Sequence, residues 1–152
     1  MLTAKDIMTK NVVTVTPGTS LDQLAAVLLK SDISGAPVVD DQGALIGIVT
    51  ENDLISRDQR LHIPTVVSFL GGALYLESSR KFEQEIQRLT ATKVGEICTS
   101  AVTTIPETAT ITEIATIMAE KNVHLLPVLK DGALVGIVGK RDMVKAIATR
   151  TE

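Results

Sequence analysis

Gly43-Ala44-Leu45-Ile46-Gly47-Ile48-Val49 returns 89 positions later as Gly132-Ala133-Leu134-Val135-Gly136-Ile137-Val138. Upstream the correspondence continues at a spacing of 90, pairing Pro37-Val38-Val39 with Pro127-Val128-Leu129. The spacing changes where Asp40-Asp41-Gln42-Gly43 is answered by the shorter Lys130-Asp131-Gly132, a turn, where length changes are tolerated. Further back, Leu21-Asp22-Gln23-Leu24-Ala25 pairs with Ile111-Thr112-Glu113-Ile114-Ala115, and Asp6-Ile7-Met8-Thr9 with Glu96-Ile97-Cys98-Thr99. One unit is present twice, over 1–60 and 94–152, with an insert at 61–93.

Each copy has the same pattern. A β-rich run comes first: Val12-Val13-Thr14-Val15 in one copy and Val102-Thr103-Thr104-Ile105 in the other. Next, Leu21, Leu24, Ala25 and Leu28 recur at helical spacing, as do Ile111, Ile114, Ala115 and Met118, with Ser20 and Thr110 placed as N-caps. Two strands joined by a Gly-containing turn follow, 36–39 with 45–49 and 126–129 with 134–138. A second helix, 51–60 or 140–149, closes the copy. The unit is strand–helix–strand–strand–helix, an α+β pattern. A unit of roughly 55 residues buries little surface alone, so the two copies are expected to pack sheet against sheet around a pseudo-twofold axis. In the insert, 79–91 has a helical stripe of Phe82, Ile86 and Leu89, and 61–76 is unusually apolar for a linker. That stretch is read as cover for the module's own core or dimer face, or as a docking surface.

The chain has 152 residues, 45% hydrophobic and 22% charged, which fits a globular domain with a sizeable core. Its formal net charge is -3, so a phosphate-tracking nucleic-acid binder is disfavoured. Aromatics are limited to Phe69, Tyr75 and Phe82, too few for base-stacking platforms. Cys98 is the single cysteine, which excludes an intrachain disulfide and suits a reducing cytoplasm. Met1 to Lys10 has no signal-peptide pattern, and the 61–76 run, broken by His62, Pro64 and Gly71-Gly72, is too short to span a bilayer; no membrane insertion is expected. Cys98, His62 and His124 make no metal pattern, and no nucleophile–base arrangement is evident. Neither a catalytic residue nor a catalytic cofactor is expected.

Asp6-Ile7-Met8-Thr9, Gly35-Ala36-Pro37-Val38-Val39-Asp40 and Gly47-Ile48-Val49-Thr50-Glu51-Asn52-Asp53-Leu54, in that order, resemble a CBS domain, named after cystathionine β-synthase. The second copy matches through His124-Leu125-Leu126-Pro127-Val128 and Gly136-Ile137-Val138-Gly139-Lys140-Arg141-Asp142-Met143. Together the copies resemble a tandem CBS pair, a stand-alone Bateman module, over nearly all of the chain outside 61–93. The resemblance implies a non-enzymatic regulatory module. It would bind an adenine nucleotide (AMP, ADP or ATP) or a related adenosyl ligand in clefts between the repeats. It would signal to a protein target as yet unidentified, and pair as a homodimer.

The family's ribose-contact motif, Thr or Ser followed three positions later by Asp, is met by Thr50 and Asp53. A carboxylate accepts two hydrogen bonds and can hold both ribose hydroxyls. Thr50 would offer its hydroxyl near the phosphate, where a helix start also presents free N–H groups. The same residues also read as a helix cap, Thr50 capping and Asp53 favouring the positive end, and both roles are compatible. In the second copy Asp142 remains but Gly139 replaces the Thr, so the two sites are expected to be unequal, with Asp53 marking the better one. Lys140 or Arg141 would compensate electrostatically. By the same resemblance the Asp53 site is completed by Cys98, Thr103, His124 and Leu125, and the Asp142 site by Met8, Val13, Thr14, Ser34 and Gly35. Ser34 and His124, three residues before Pro, would face phosphates; a hydrogen-bonded histidine at a helix end is the other reading of His124. The competing functional reading is a constitutive dimerisation scaffold with this fold and no physiological ligand.

Overall fold

The structure, a computed structural model, describes residues 1–57 and 92–150. The expectations for 61–76, for 79–91 and for the end of the helix at 51–60 lie outside the described residues. The first copy supplies α1 (Ala4–Ile7), α2 (Leu21–Ser31), β1 (Gly35–Val39), β2 (Leu45–Thr50) and α3 (Glu51–Arg57). The second supplies α4 (Val94–Ile97), β3 (Ile105–Pro106), α5 (Ile111–Lys121), β4 (Leu125–Lys130), β5 (Ala133–Gly139) and α6 (Lys140–Arg150). The fold is mixed helix and strand, with two repeats each built on its own sheet.

Capping boxes start α2 and α5. Ser20 Oγ accepts the Gln23 N–H at 3.1 Å while Gln23 Oε1 accepts the Ser20 N–H at 3.1 Å. Thr110 and Glu113 do the same at 3.2 and 2.9 Å. Both helices end on a left-handed residue, Asp32 (φ 50°) and Asn122 (φ 51°), side chains that tolerate this conformation. Leu21, Leu24 and Leu28 are buried along α2, and Ile111 and Ile114 along α5. Of the expected α5 stripe, Met118 packs on the core but Ala115 is exposed, and Ile117 packs there instead.

The hairpins are antiparallel, with Ala36 opposite Val49 and Val38 opposite Gly47 in one, and Leu126 opposite Val138 and Val128 opposite Gly136 in the other. Their turns explain the change of repeat spacing. In the first copy Asp40 Oδ1 gathers the Gln42 and Ala44 N–H groups at 2.9 Å each. In the second, Asp131 and Gly132, both at positive φ, make a two-residue turn. Four successive β1 residues, Gly35 to Val38, are buried, so this strand is covered on both faces.

The expected first strand of each copy is shorter than its β-rich run. Around 12–15 only Val15 bridges to Val38, in parallel, and the second copy keeps only Ile105–Pro106 beside β4. Pro106 lacks the N–H needed to extend the ladder. The short helices α1 and α4 had no periodicity to announce them. They exchange places between the copies. Ala4 N–H donates to the Ala109 carbonyl at 2.8 Å, and Thr9 bridges to Ile137. Reciprocally, Val94 N–H donates to the Thr19 carbonyl at 2.9 Å, and Thr99 bridges to Ile48. Ala4 is buried in the second copy's core, with Leu2, Ile7 and Met8 packed against it, and Val94 in the first copy's core, with Ile97 and Cys98.

Candidate functional site

Thr50 and Gly139 each end a strand that turns directly into a helix. At both junctions an Asp in the first helical turn reaches back. Asp53 Oδ2 accepts the Thr50 N–H at 2.8 Å and the Thr50 hydroxyl at 3.3 Å. Asp142 Oδ2 accepts the Gly139 N–H at 2.8 Å. Among the described residues the Thr50 hydroxyl accepts no helix N–H, and Gly139 has no side chain to do so; of the cap reading only the Asp contact is realised, at Asp53 and again at Asp142. It occupies one oxygen of each half-buried carboxylate; Oδ1 has no hydrogen-bond partner among the described residues.

The wall beside these carboxylates is built across the repeats by residues at equivalent positions. A Cβ placed on Gly35 would lie 2.7 Å from the Val49 carbonyl oxygen, 2.9 Å from Leu125 Cδ2 and 3.0 Å from Thr50 Cγ2. Leu125, the counterpart of Gly35, thus fills the space that Gly35 leaves, with Thr50 Cγ2 bordering the same space. The exchanged segments repeat this knob-and-hole packing. Cys98 Sγ lies 3.2 Å from the Cβ position of Gly47, and Met8 packs over Gly136. Cys98 also senses Asp53: burial pushes the thiol above its ordinary range, and the Asp53 charge pushes it further, against a lowering backbone hydrogen bond.

Of the residues named from sequence for the Asp53 site, Leu125 packs at Gly35 beside Thr50, and Cys98 lies within reach of the Asp53 charge. Thr103 is half-buried and His124 exposed, neither with a side-chain hydrogen bond among the described residues. For the Asp142 site, Met8 and Gly35 stand at the shared wall, Ser34 is exposed, and Val13 is half-buried. Thr14 lines a groove of about 350 Å³ with Lys10, Val12, Val39, Gly43, Ala133 and Leu134, at the turn ends of the hairpins. Among the described residues no hydrogen bond joins Val13 or Thr14 to Asp142. Arg141 reaches across the seam, its Nη1 3.2 Å from Asp32 Oδ2. Gly47 and Gly136 went unnamed as site residues although they stand at equivalent positions in the duplicated stretch, a signal open to reading. Asp32 gave no such signal, because its partner is 109 positions away. No group of three or more metal-ligating side chains is found among the described residues.

The model of the CBS domain matches twice, at residues 4–60 and 94–149. The chain belongs to the CBS domain family. The CBS pair is 31% identical to an uncharacterised protein of Methanocaldococcus jannaschii over 94% of this chain and 89% of that one. It is 28% identical to the chloroplastic CBS domain-containing protein CBSX2 of Arabidopsis thaliana, over 95% of this chain and 63% of that one. Among solved structures, CBSX2 in complex with AMP superposes with a TM-score of 0.80 at 25% identity, covering both chains completely. The CBS domain pair of protein MJ0100, solved with 5′-methylthioadenosine and S-adenosyl-L-methionine, gives 0.72 at 24% identity over 99% and 98% of the two chains, a likeness of fold. No helix among the described residues is long and apolar enough to cross a membrane.

Proposed function

We propose that this CBS pair is a non-enzymatic regulatory module that binds adenine nucleotides or related adenosyl ligands at the seam between its repeats and reports their presence to a protein partner. The observation that carries the reading is the Thr50–Asp53 junction. There a carboxylate with one oxygen spare follows Thr50, whose Cγ2 shares the Gly35 Cβ position with Leu125 of the other repeat, and its charge acts on Cys98, also of the other repeat. A spare carboxylate oxygen suits ribose hydroxyls, and Leu125 offers an apolar surface for a base. The likeness to CBSX2, solved with AMP, supports the same ligand class. Ligand would couple to a partner by favouring one arrangement of the two repeats, since a contact made by both repeats depends on their relative placement.

The same proposal places the module in the cytoplasm as a homodimer. The dimer is supported by Ile55 on α3 and Val144 on α6, large apolar side chains 64% and 65% exposed. Light scattering on the purified chain checks it, a monomer mass being the adverse result.

Calorimetry with AMP, ADP, ATP, NAD and S-adenosylmethionine tests the binding. At least one adenosyl ligand is expected to bind with Kd below about 1 mM. Asp53→Asn keeps an oxygen for the Thr50 cap but removes the charge, and is expected to weaken binding about tenfold to a hundredfold. If no ligand binds and none raises Tm, the module is a constitutive scaffold, because a ligand that binds the folded state must stabilise it.

A further inference from the structure

The mouths of the two clefts differ in charge, and we propose that the Arg141–Asp32 ion pair makes the Asp142 cleft selective for adenosyl ligands with a polyphosphate tail. This rests on the binding reading above and names a ligand class for one cleft of that site. The first turn of α3 carries Glu51, Asn52 and Asp53 after Thr50; the first turn of α6 carries Lys140, Arg141 and Asp142 after Gly139. Arg141 meets Asp32 at the end of α2, whereas the equivalent position at the end of α5 is the uncharged Asn122. The Asp53 mouth therefore presents two carboxylates and no Lys or Arg among these residues. The Asp142 mouth presents two cations and two carboxylates.

Arg141 is held by Asp32 at 3.2 Å, both side chains being more than four-fifths exposed. An exposed pair of this kind opens at a cost of about fivefold at most in an equilibrium. A di- or triphosphate carries more charge than one carboxylate and accepts the guanidinium fork through two oxygens, so it takes Arg141 from Asp32. An uncharged 5′ group offers nothing in exchange, and the pair stays closed. Asp32 is in this sense a positioning residue. It is two positions before Ser34 and three before Gly35, which packs against Leu125, itself 3.6 Å from the Cβ position of Gly139. Asp32 and Arg141 thus stand on facing sides of the same seam. Gly139, lacking the Thr50 hydroxyl, leaves the phosphate contacts of this cleft to Arg141 and Lys140.

The test is calorimetry of the full chain with adenosine, AMP and ATP, on wild type, Asp32→Asn, Arg141→Gln and the double variant. Asn tolerates the left-handed conformation of position 32, so Asp32→Asn keeps the helix end. Asp32→Asn is expected to tighten ATP about twofold to fivefold and leave adenosine unchanged. Arg141→Gln is expected to weaken ATP about tenfold or more, again sparing adenosine. The double variant is expected to match Arg141→Gln, because Asp32 acts only through Arg141. Equal changes for adenosine and ATP, an Asp32 effect that persists without Arg141, or an unchanged ATP-to-adenosine ratio would each overturn the proposal. If wild type binds none of the three, the binding reading falls and this one with it. If wild type binds and the ratio ignores both substitutions, this proposal alone falls.

Discussion

Cys98 is where the two repeats meet at the scale of single side chains. Its thiol is held above the ordinary thiol range first by burial and then by the Asp53 carboxylate. Both effects favour the neutral form, so the thiol is protonated at neutral pH and slow towards alkylation. Removing the anion by Asp53→Asn favours the thiolate, and the pH at which iodoacetamide labelling reaches half its maximal rate is expected to move down. A midpoint that stays put would mean that the charge of Asp53 does not reach the sulfur. Thr50, Asp53 and Asp142 were legible in the sequence because a strand end, a cap and an acidic third residue are local features, within four positions. The contacts of Leu125 with Gly35, and of Arg141 with Asp32, belong to the packing of one copy on the other, and no local pattern encodes them.

At the scale of elements, the seam depends on β1 entering without a side chain. A Cβ on Gly35 meets the Val49 carbonyl at 2.7 Å, and a backbone atom cannot rotate aside as the end of a flexible side chain can. Gly35→Ala is expected to cost about 1–3 kcal/mol in urea unfolding, as overpacking does. Gly18→Ala, with nothing within 4 Å of the added carbon, serves as the control and is expected to be close to neutral. Equal stability of the two variants would show that β1 and Leu125 shift freely, contrary to the packing described. The long helices and both hairpins were readable, because Leu21, Leu24 and Leu28 or the alternation along 45–49 extend over a full period. α1 and α4, four residues each, are too short to show one. The runs at 12–15 and 102–105 have β-rich composition, but only Val15 in one and Ile105 in the other find a ladder partner.

For the whole molecule the decisive feature is the exchange of the segments that open each copy. Leu2, Ala4, Ile7 and Met8 pack in the core of the second copy, and Val94, Ile97 and Cys98 in that of the first. Neither copy's core is complete without the other's segment, so the pair is expected to unfold in one transition. Deleting residues 1–9 removes apolar side chains from the second copy's core and the hydrogen bonds from Ala4, Lys5 and Thr9 to that copy. The loss is expected to be about 3–6 kcal/mol, a large share of a domain's stability. The first copy's core keeps all its own side chains in this deletion. If the copies were independent, urea unfolding followed by circular dichroism would show an unchanged first-copy transition beside an early one. A single transition shifted as a whole is the expected result. It would mean that a ligand gripping one cleft stabilises both repeats together, which is the physical condition for a site on the seam to be felt on the far side of the molecule.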